Sequence, residues 1–155
     1  MKGQRTEMHD SQCALARALD VIGDWWSLLI IREALYGRRR FNEFQKSLGL
    51  AKNILATRLR KLVDCGVMAT SPAPDNAAHK EYVLTEKGEK LYVVMVGLYQ
   101  WGAEHCFTPD EQAITLVDSL HGAPLQPLQV KAQDGRVVGP RDLTALLRPA
   151  GEGRS

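Results

Sequence analysis

Nine basic side chains fall between positions 32 and 61 of the sequence. They are Arg32, Arg38, Arg39, Arg40, Lys46, Lys52, Arg58, Arg60 and Lys61. Only Glu33 and Glu43 oppose them, which leaves seven net positive charges in a chain whose total is +2. Clustered positive charge needs an anionic partner, and a polyphosphate backbone is the commonest partner for such a segment. The stretch therefore predicts binding to double-stranded DNA.

The same stretch has the pattern of two short helices joined by a tight turn. The spacing predicts a helix over 41–48, a turn at Gly49 and a second helix over about 51–65. The apolar stripe of the second helix is Leu55, Leu59, Leu62 and Val63, and its polar face is Asn53, Thr57, Arg60, Lys61 and Asp64, with Arg58 at the edge. A polar, mostly basic face is what a helix lying in the major groove must present.

Two classes of DNA contact are expected from these residues. The base edges would be read by Lys52, Asn53, Thr57 and Arg60. The phosphates would be neutralised by Arg38, Arg39, Arg40, Lys46, Arg58, Lys61, His79 and Lys80. Contacts of the second class fix the position of a protein on the duplex without reading its sequence.

The elements that must position this helix pair follow from periodicity and from glycines. Helices are predicted over 13–22 and over 25–36, separated by Gly23 and by Asp24 as an N-cap. Residues 67–74 and 79–84 predict a hairpin, and residues 86–106 predict one long helix. Leu91, Val94, Leu98 and Trp101 recur at alternating steps of three and four on that helix, which predicts a homodimer interface.

The remaining C-terminal residues have a different composition. Short strands are expected within 114–120, 128–132 and 135–140, with a hairpin turn at Asp134–Gly135. One helical turn is expected within 140–147, and the tail 149–155 has the composition of a disordered segment.

Several function classes are excluded by composition. A hydrophobic fraction of 45% and a charged fraction of 25% are typical of a soluble globular protein. The polar N-terminus and the lack of a long apolar run predict a cytoplasmic protein without a membrane span. We find neither a glycine-rich phosphate loop nor a nucleophile elbow, so neither an enzyme nor a bound cofactor is expected.

The cysteines favour redox chemistry over metal binding. Cys13, Cys65 and Cys106 are odd in number and widely spaced, and no histidine lies at metal-ligand spacing from them, so no metal site is expected. Cys13 lies near the start of the first helix, where the backbone dipole favours a thiolate. It is therefore either a redox sensor or a small packing residue.

The order of elements and several motifs resemble the HxlR-type regulators, relatives of the MarR-like fold. The matching motifs are ALDVIGDWWSLLIIREAL, RRRFNEF, LATRLRKLVDCGVM and EYVLTEKGEKL, preceded by Cys13. The resemblance implies a mainly α protein with a small β component: a winged helix-turn-helix domain over 1–106 with a long dimerisation helix, and a small β-rich extension over 107–155. It departs from the family at Trp25, at Ala51 and in the weakly basic wing loop.

The resemblance also implies a function. Such a regulator would be a homodimer that binds an inverted-repeat operator, more often as a repressor, and several members sense oxidants or electrophiles through a cysteine that matches Cys13. An aromatic set, Trp25, Trp26, Tyr99 and Trp101, forms either an effector pocket or ordinary packing. The alternative function is a winged-helix module whose basic face docks an acidic protein.

Overall fold

The computed structural model describes residue 8 and residues 10–147. Within them the order of elements is that of a winged helix-turn-helix protein, as predicted. The helices are α1 (Ala14–Ile22), α2 (Trp25–Leu35), α3 (Phe41–Leu48), α4 (Lys52–Asp64), α5 (Glu86–Glu89) and α6 (Tyr92–His105). The strands are β1 (Met68–Pro72) and β2 (Lys80–Leu84). None of the described helices is long and apolar enough to cross a lipid bilayer.

The chain divides into two compact units, Met1–Met95 and Val96–Ser155, with the boundary inside α6. The first unit contains the helix pair and the hairpin. The predicted domain boundary at residue 106 assigns DNA binding and dimerisation to one part of the chain and not to the other. That boundary stays a prediction.

Local sequence signals set the helix boundaries in the first unit. Gly23 ends α1, and Asp24 caps α2 by accepting hydrogen bonds from the Ser27 amide (2.9 Å) and the Ser27 hydroxyl (2.6 Å). Gly49 ends α3 in the left-handed region, with φ of 64°, which glycine adopts without steric cost. These predicted boundaries are confirmed.

The core of the first unit lies among α2, α3 and α4. Ile30, Ile31, Phe44, Leu55 and Leu59 are fully buried there. Leu62 joins them, so the predicted apolar stripe of α4 is the side that faces the core. Burial of this stripe fixes which side of α4 remains available to a ligand.

Glu33 is a charged residue inside this core, with only 2% of its surface exposed. Its carboxylate lies 2.6 Å from Arg32 and 2.8 Å from Arg38, and it accepts a hydrogen bond from the Ser47 hydroxyl. Burial raises the pKa of Glu33, but the Ser47 hydrogen bond and the two guanidinium groups outweigh it and leave the pKa below the ordinary value. The carboxylate thereby ties the end of α2 to the following loop and to α3.

The hairpin forms the wing, and its strands pair antiparallel with Met68 opposite Leu84 and Pro72 opposite Lys80. A further bridge joins Arg40 to Glu81, and the Tyr82 amide donates to the Arg39 carbonyl at 2.7 Å. The loop before α3 is therefore attached to β2, which fixes the wing relative to the helix pair.

The prediction of one long helix over 86–106 is wrong, because α5 and α6 are separated by a turn at Lys90–Leu91. The residues of α5 pack closely at Gly88, where a Cβ atom would lie 2.1 Å from the Val67 carbonyl oxygen. Thr85 strengthens this attachment, since its hydroxyl donates to the Gly66 carbonyl at 2.6 Å. These contacts hold α5 against the residues between α4 and β1.

The prediction of short strands in the C-terminal extension is wrong for the described residues of the second unit. Residues 107–147 form only two isolated bridges, Val117 with Pro124 and Lys131 with Val137, because few backbone amides in this range donate to the carbonyls of a neighbouring segment. The turn at Asp134–Gly135 is confirmed, with φ of 85° at Gly135. Residues 140–147 contain no helical turn, and the predicted disorder of 149–155 lies outside the described residues.

We predict that Glu33→Gln lowers the free energy of unfolding by about 1–3 kcal/mol at neutral pH, because hydrogen bonds to a charged group are lost. The folded-state pKa of Glu33 is lowered, so its stabilisation is present above the unfolded pKa of about 4.3 and disappears as the pH falls through the folded value. Denaturant titrations should therefore show the difference in unfolding free energy between wild type and variant narrowing as the pH is lowered from about 7 through the unfolded pKa of about 4.3.

Glu86→Gln is the matched control, since Glu86 pairs with Lys90 on an exposed surface and should contribute less than about 0.5 kcal/mol. If the difference in unfolding free energy between wild type and Glu33→Gln stays constant across this pH range, the assigned role of the carboxylate is contradicted.

Candidate nucleic-acid interface

The turn between α3 and α4 places the beginning of α4 at the surface. Leu50 is buried in the turn, while Ala51 and Lys52 are exposed. Ala51 is the N-cap of α4 and supplies no side-chain hydrogen bond. The first amides of α4 therefore lack a side-chain cap, a condition that favours an anion such as a phosphate.

The four residues predicted to read bases are exposed on the outer side of α4. They are Lys52, Asn53, Thr57 and Arg60. The Thr57 hydroxyl donates to the Asn53 carbonyl at 2.8 Å, which leaves both lone pairs of the hydroxyl oxygen free to accept. Within the described chain, neither Lys52 nor Arg60 takes part in an ion pair, so both charges remain available to a ligand.

Two other basic residues of α4, which were predicted to contact phosphates, are paired inside the protein. Arg58 Nε lies 3.3 Å from Asp24 Oδ1, and Lys61 Nζ lies 3.7 Å from Asp24 Oδ2. Both nitrogens are shielded from solvent and have no hydrogen-bond partner beyond this attraction. Burial raises the pKa of Asp24, but the Ser27 hydrogen bonds and the two cations outweigh this effect and leave the pKa below its ordinary value.

Asp24 was predicted only as a helix cap, and its second role as the counterion of α4 was missed. The two partners lie 34 and 37 positions further along the chain, so no local spacing connects them. One signal for this pairing was present in the sequence: Arg58 lies at the edge of the polar face of α4, where a side chain can reach a neighbouring helix.

The three consecutive arginines before α3 are also partly neutralised. Arg38 pairs with Glu33, as described above. Arg40 pairs with Asp75 in the wing loop and lies 3.7 Å from Glu81, and Arg39 lies 3.9 Å from Glu81. The hydrogen bond from Arg40 lowers the pKa of the exposed Asp75. The wing loop therefore holds a cation that was predicted to bind a phosphate.

These contacts change the charge that a ligand meets. Asp24, Asp75 and Glu81 lie outside the stretch 32–61 but pair with its basic residues, which reduces the surplus of the cluster from seven to four. In the described chain no ion pair involves Lys46, Lys52 or Arg60. The uncompensated charge is therefore concentrated on α3 and on the outer side of α4.

An open hollow of about 400 Å³ lies between the beginning of α3 and the wing. Its lining consists of Arg40, Phe41, Asn42, Ala78, His79, Lys80 and Tyr82. The structure thus brings together Arg40 and the two predicted wing residues, His79 and Lys80, which are exposed. Lys46 is exposed on the last turn of α3.

The cysteines occupy three different environments. Cys13 is exposed at the N-cap of α1, where its side chain makes no capping hydrogen bond. Cys65 is partly buried and its thiol donates to the Leu62 carbonyl at 3.5 Å, while Cys106 is exposed after α6. The described residues contain no group of three ligands suited to a metal ion.

The aromatic residues divide between the two units. Trp25 and Trp26 have ring centroids 5.3 Å apart, and the Trp25 ring is exposed. In the second unit Trp101 contacts the His105 ring at the same separation. An effector pocket that combines Trp25 and Trp26 with Tyr99 and Trp101 stays a prediction.

The residues of the predicted dimer seam are mostly exposed on α6. Val94, Leu98 and Trp101 are exposed, whereas Leu91 packs against the core of the first unit. Tyr92 and Val93 are exposed as well, so α6 presents apolar side chains that this chain alone does not cover.

Comparison with known proteins gives the same fold and a regulatory class. The chain is 35% identical over 131 residues to the HTH-type transcriptional regulator Rv3095 of Mycobacterium tuberculosis, covering 84% of this chain and 83% of the relative. The crystal structure of PA1607, a candidate transcription factor, matches with a TM-score of 0.87 and 50% identity over 91% of this chain and 99% of its own.

A third relative, the redox regulator HypR in its oxidised form, matches with a TM-score of 0.55 and 28% identity over 62% of this chain and all of its own. A family model described as HxlR-like helix-turn-helix matches residues 21–110, which is more than half of the chain. This chain therefore belongs to the HxlR-like helix-turn-helix family of transcriptional regulators.

Proposed function

We propose that this chain is a homodimeric, sequence-specific repressor that binds an inverted-repeat operator through α4 and is released by an effector. The supporting observation is the division of charge on α4: the partly buried Arg58 and Lys61 pair with Asp24, while Lys52, Asn53, Thr57 and Arg60 are exposed. Such an outer face offers donors and a planar guanidinium to base edges in the major groove.

Each exposed residue has a distinct role in this proposal. Arg60 donates two hydrogen bonds to a guanine, and Asn53 pairs with an adenine. Lys46, Arg39, His79 and Lys80 contact phosphates on either side of α4, and Lys52 meets the first phosphate or base beside the uncapped amides. Asp24 contacts no DNA and acts as a positioning residue for α4.

The homodimer places two copies of α4 in successive major grooves. Its supporting observation is the exposed apolar side of α6, formed by Val94, Leu98 and Trp101. Two reading helices on one face of the duplex must lie about 34 Å apart, one helical turn. An effector that changes this separation by a few ångströms prevents both helices from binding together, which releases the operator.

Two effector chemistries are consistent with the exposed groups. Cys13 is exposed at the beginning of α1, and a relative is described as a redox regulator, which supports oxidants or electrophiles. The exposed Trp25 ring beside Trp26 supports an aromatic small molecule. Selection of bound sequences from random duplexes would test the operator, the spacing of half-sites and the symmetry in one experiment.

Docking of an acidic protein on the basic face is the competing function. Duplex binding with several phosphate contacts should weaken by orders of magnitude between about 50 and 200 mM salt. A selection that enriches no duplex sequence, together with weak salt dependence, would favour the competing function.

We predict that Arg60→Ala weakens operator binding by about 1–3 kcal/mol while weakening random DNA much less, because a base contact is lost. Lys46→Ala is the matched control, since a phosphate contact serves all sequences alike and its loss should reduce the salt slope by about one. Fluorescence anisotropy with operator and random duplexes gives both values. Equal losses on the two duplexes for Arg60→Ala would contradict its role in reading bases.

We predict that Asp75→Asn strengthens binding to every duplex, because it releases Arg40 for a phosphate contact. The magnitude of the salt slope should increase by about one, with little change in the ratio of operator to random affinity. The double variant Arg40→Ala/Asp75→Asn should lose this gain, since the released cation is absent. An unchanged salt slope in Asp75→Asn would show that Arg40 does not reach DNA.

We predict that diamide or a quinone lowers operator affinity of the wild type and leaves Cys13→Ser unaffected, because the exposed Cys13 thiol is the reactive group. Cys106→Ser is the control, since Cys106 is also exposed but lies outside α1. If Cys13→Ser responds like the wild type, the redox mechanism fails and the small-molecule mechanism remains.

A further inference from the structure

Residues 107–147, named here the C-terminal arm, have a defined backbone but no buried side chain. None of the described residues in this range is buried, and eleven large apolar side chains are exposed. They are Phe107, Ile114, Val117, Leu120, Leu125, Leu128, Val130, Val137, Leu143, Leu146 and Leu147. An ordered segment that buries so little apolar surface does not recover the entropy lost in ordering its backbone.

Polar contacts, rather than a core, define the path of the arm. The Asp118 carboxylate accepts hydrogen bonds from the amides of Leu120 (3.0 Å), His121 (2.7 Å) and Ala123 (3.0 Å). Further along, the Val138 amide donates to the Val130 carbonyl at 3.0 Å. These contacts hold the apolar side chains on the outside, where only another surface can cover them.

The amide side chain of Gln100 fastens the arm to α6. Gln100 donates to the Gln126 carbonyl at 2.9 Å and accepts from the Leu128 amide at 2.7 Å. Gln100 follows Leu98 by two positions on α6, so at about 100° per residue it projects from a different face of the helix than the proposed dimer seam. The arm is therefore attached beside the seam, and Leu98 and Trp101 stay exposed.

We propose that the C-terminal arm packs on a second copy of this chain and extends the dimer interface beyond α6. This inference rests on the proposed homodimer. Full burial of one such side chain removes on the order of 60–100 Å² from water, so eleven partly exposed ones supply roughly 500–800 Å² for each arm. Two symmetric arms then reach the standard size of a stable interface, about 1,200–2,000 Å² in total.

The net charge of the arm argues against nucleic acid as its binding partner. The arm carries five acidic residues, Asp110, Glu111, Asp118, Asp134 and Asp142, against three basic ones, Lys131, Arg136 and Arg141. A net negative segment repels phosphate, whereas its apolar side chains suit a protein surface. The similarity to PA1607 extends into the arm, whereas HypR matches too little of the chain to include most of it, so the helix-turn-helix fold itself does not require the arm.

Crosslinking at Leu120 tests which chain the arm contacts. Leu120 is 82% exposed, so a photoreactive phenylalanine analogue can replace it in the full-length protein without strain. Nitrogen-15-labelled and unlabelled protein are refolded together, irradiated and digested. The proposal expects crosslinked peptide pairs that combine a labelled with an unlabelled chain. Pairs that always share one label, or no crosslink to this protein, would overturn it.

Substitutions separate the arm from the α6 seam. The triple variant Ile114→Gln/Leu120→Gln/Leu146→Gln changes side chains that are 74%, 82% and 84% exposed in the single chain, so its fold should be retained. Sedimentation equilibrium should show a dimer dissociation constant raised about tenfold or more. Leu98→Gln, on the seam of α6, is the matched control.

The results for the two variants together distinguish the proposed homodimer from the proposed role of the arm in its interface. If Leu98→Gln weakens the dimer and the triple variant does not, the arm proposal fails and the proposed function stands. If both variants weaken the dimer, or the triple variant alone does, the arm belongs to the interface. If the wild type is monomeric at concentrations that saturate operator DNA, the proposed homodimer and the arm proposal both fail.

Discussion

The arrangement of the DNA-binding unit depends on two carboxylates at opposite ends of α2. At the beginning of the helix, Asp24 caps α2 and holds Arg58 and Lys61 of α4. At the other end, the buried Glu33 holds Arg38 and accepts a hydrogen bond from Ser47 of α3. Because both partners of α2 are attached to it by charge as well as by packing, α3 and α4 cannot rotate independently of the central helix. The outward direction of Arg60 follows from this constraint.

Pairing of basic residues with carboxylates also affects the non-specific affinity of this surface for DNA. A surplus of seven unpaired charges would attract any duplex, since non-specific affinity scales with the number of phosphates neutralised. Neutralisation by Asp24, Asp75 and Glu81 lowers that background while leaving the polar face of α4 exposed. In the proposed DNA complex, the balance between base contacts and phosphate contacts would therefore move toward the base contacts, which is the direction that sequence discrimination requires.

The sequence predicted the elements whose boundaries depend on neighbouring residues. Gly23, Asp24 and Gly49 mark the ends of helices by local chemistry, and the stripe Leu55, Leu59, Leu62 gives the buried side of α4 directly. It did not predict the break at Lys90–Leu91 or the close approach of Gly88 to the Val67 carbonyl, since these two residues lie twenty-one positions apart. The pairing of Arg58 with Asp24 was missed for the same reason, and the apolar residues of the arm were read as strands because a coreless segment has similar composition.

The break before α6 lies at a junction where the residues after α4 contact α5. Immediately after α4, the carbonyls of Cys65 and Gly66 accept hydrogen bonds from the side chains of Lys87 and Thr85, both at 2.6 Å. Gly88 lies against the Val67 carbonyl with no room for a Cβ atom, so this junction cannot slide without breaking hydrogen bonds. In the proposed regulator this junction would couple a displacement at the beginning of α6 to the end of α4. An effector would then release the operator without contacting α4.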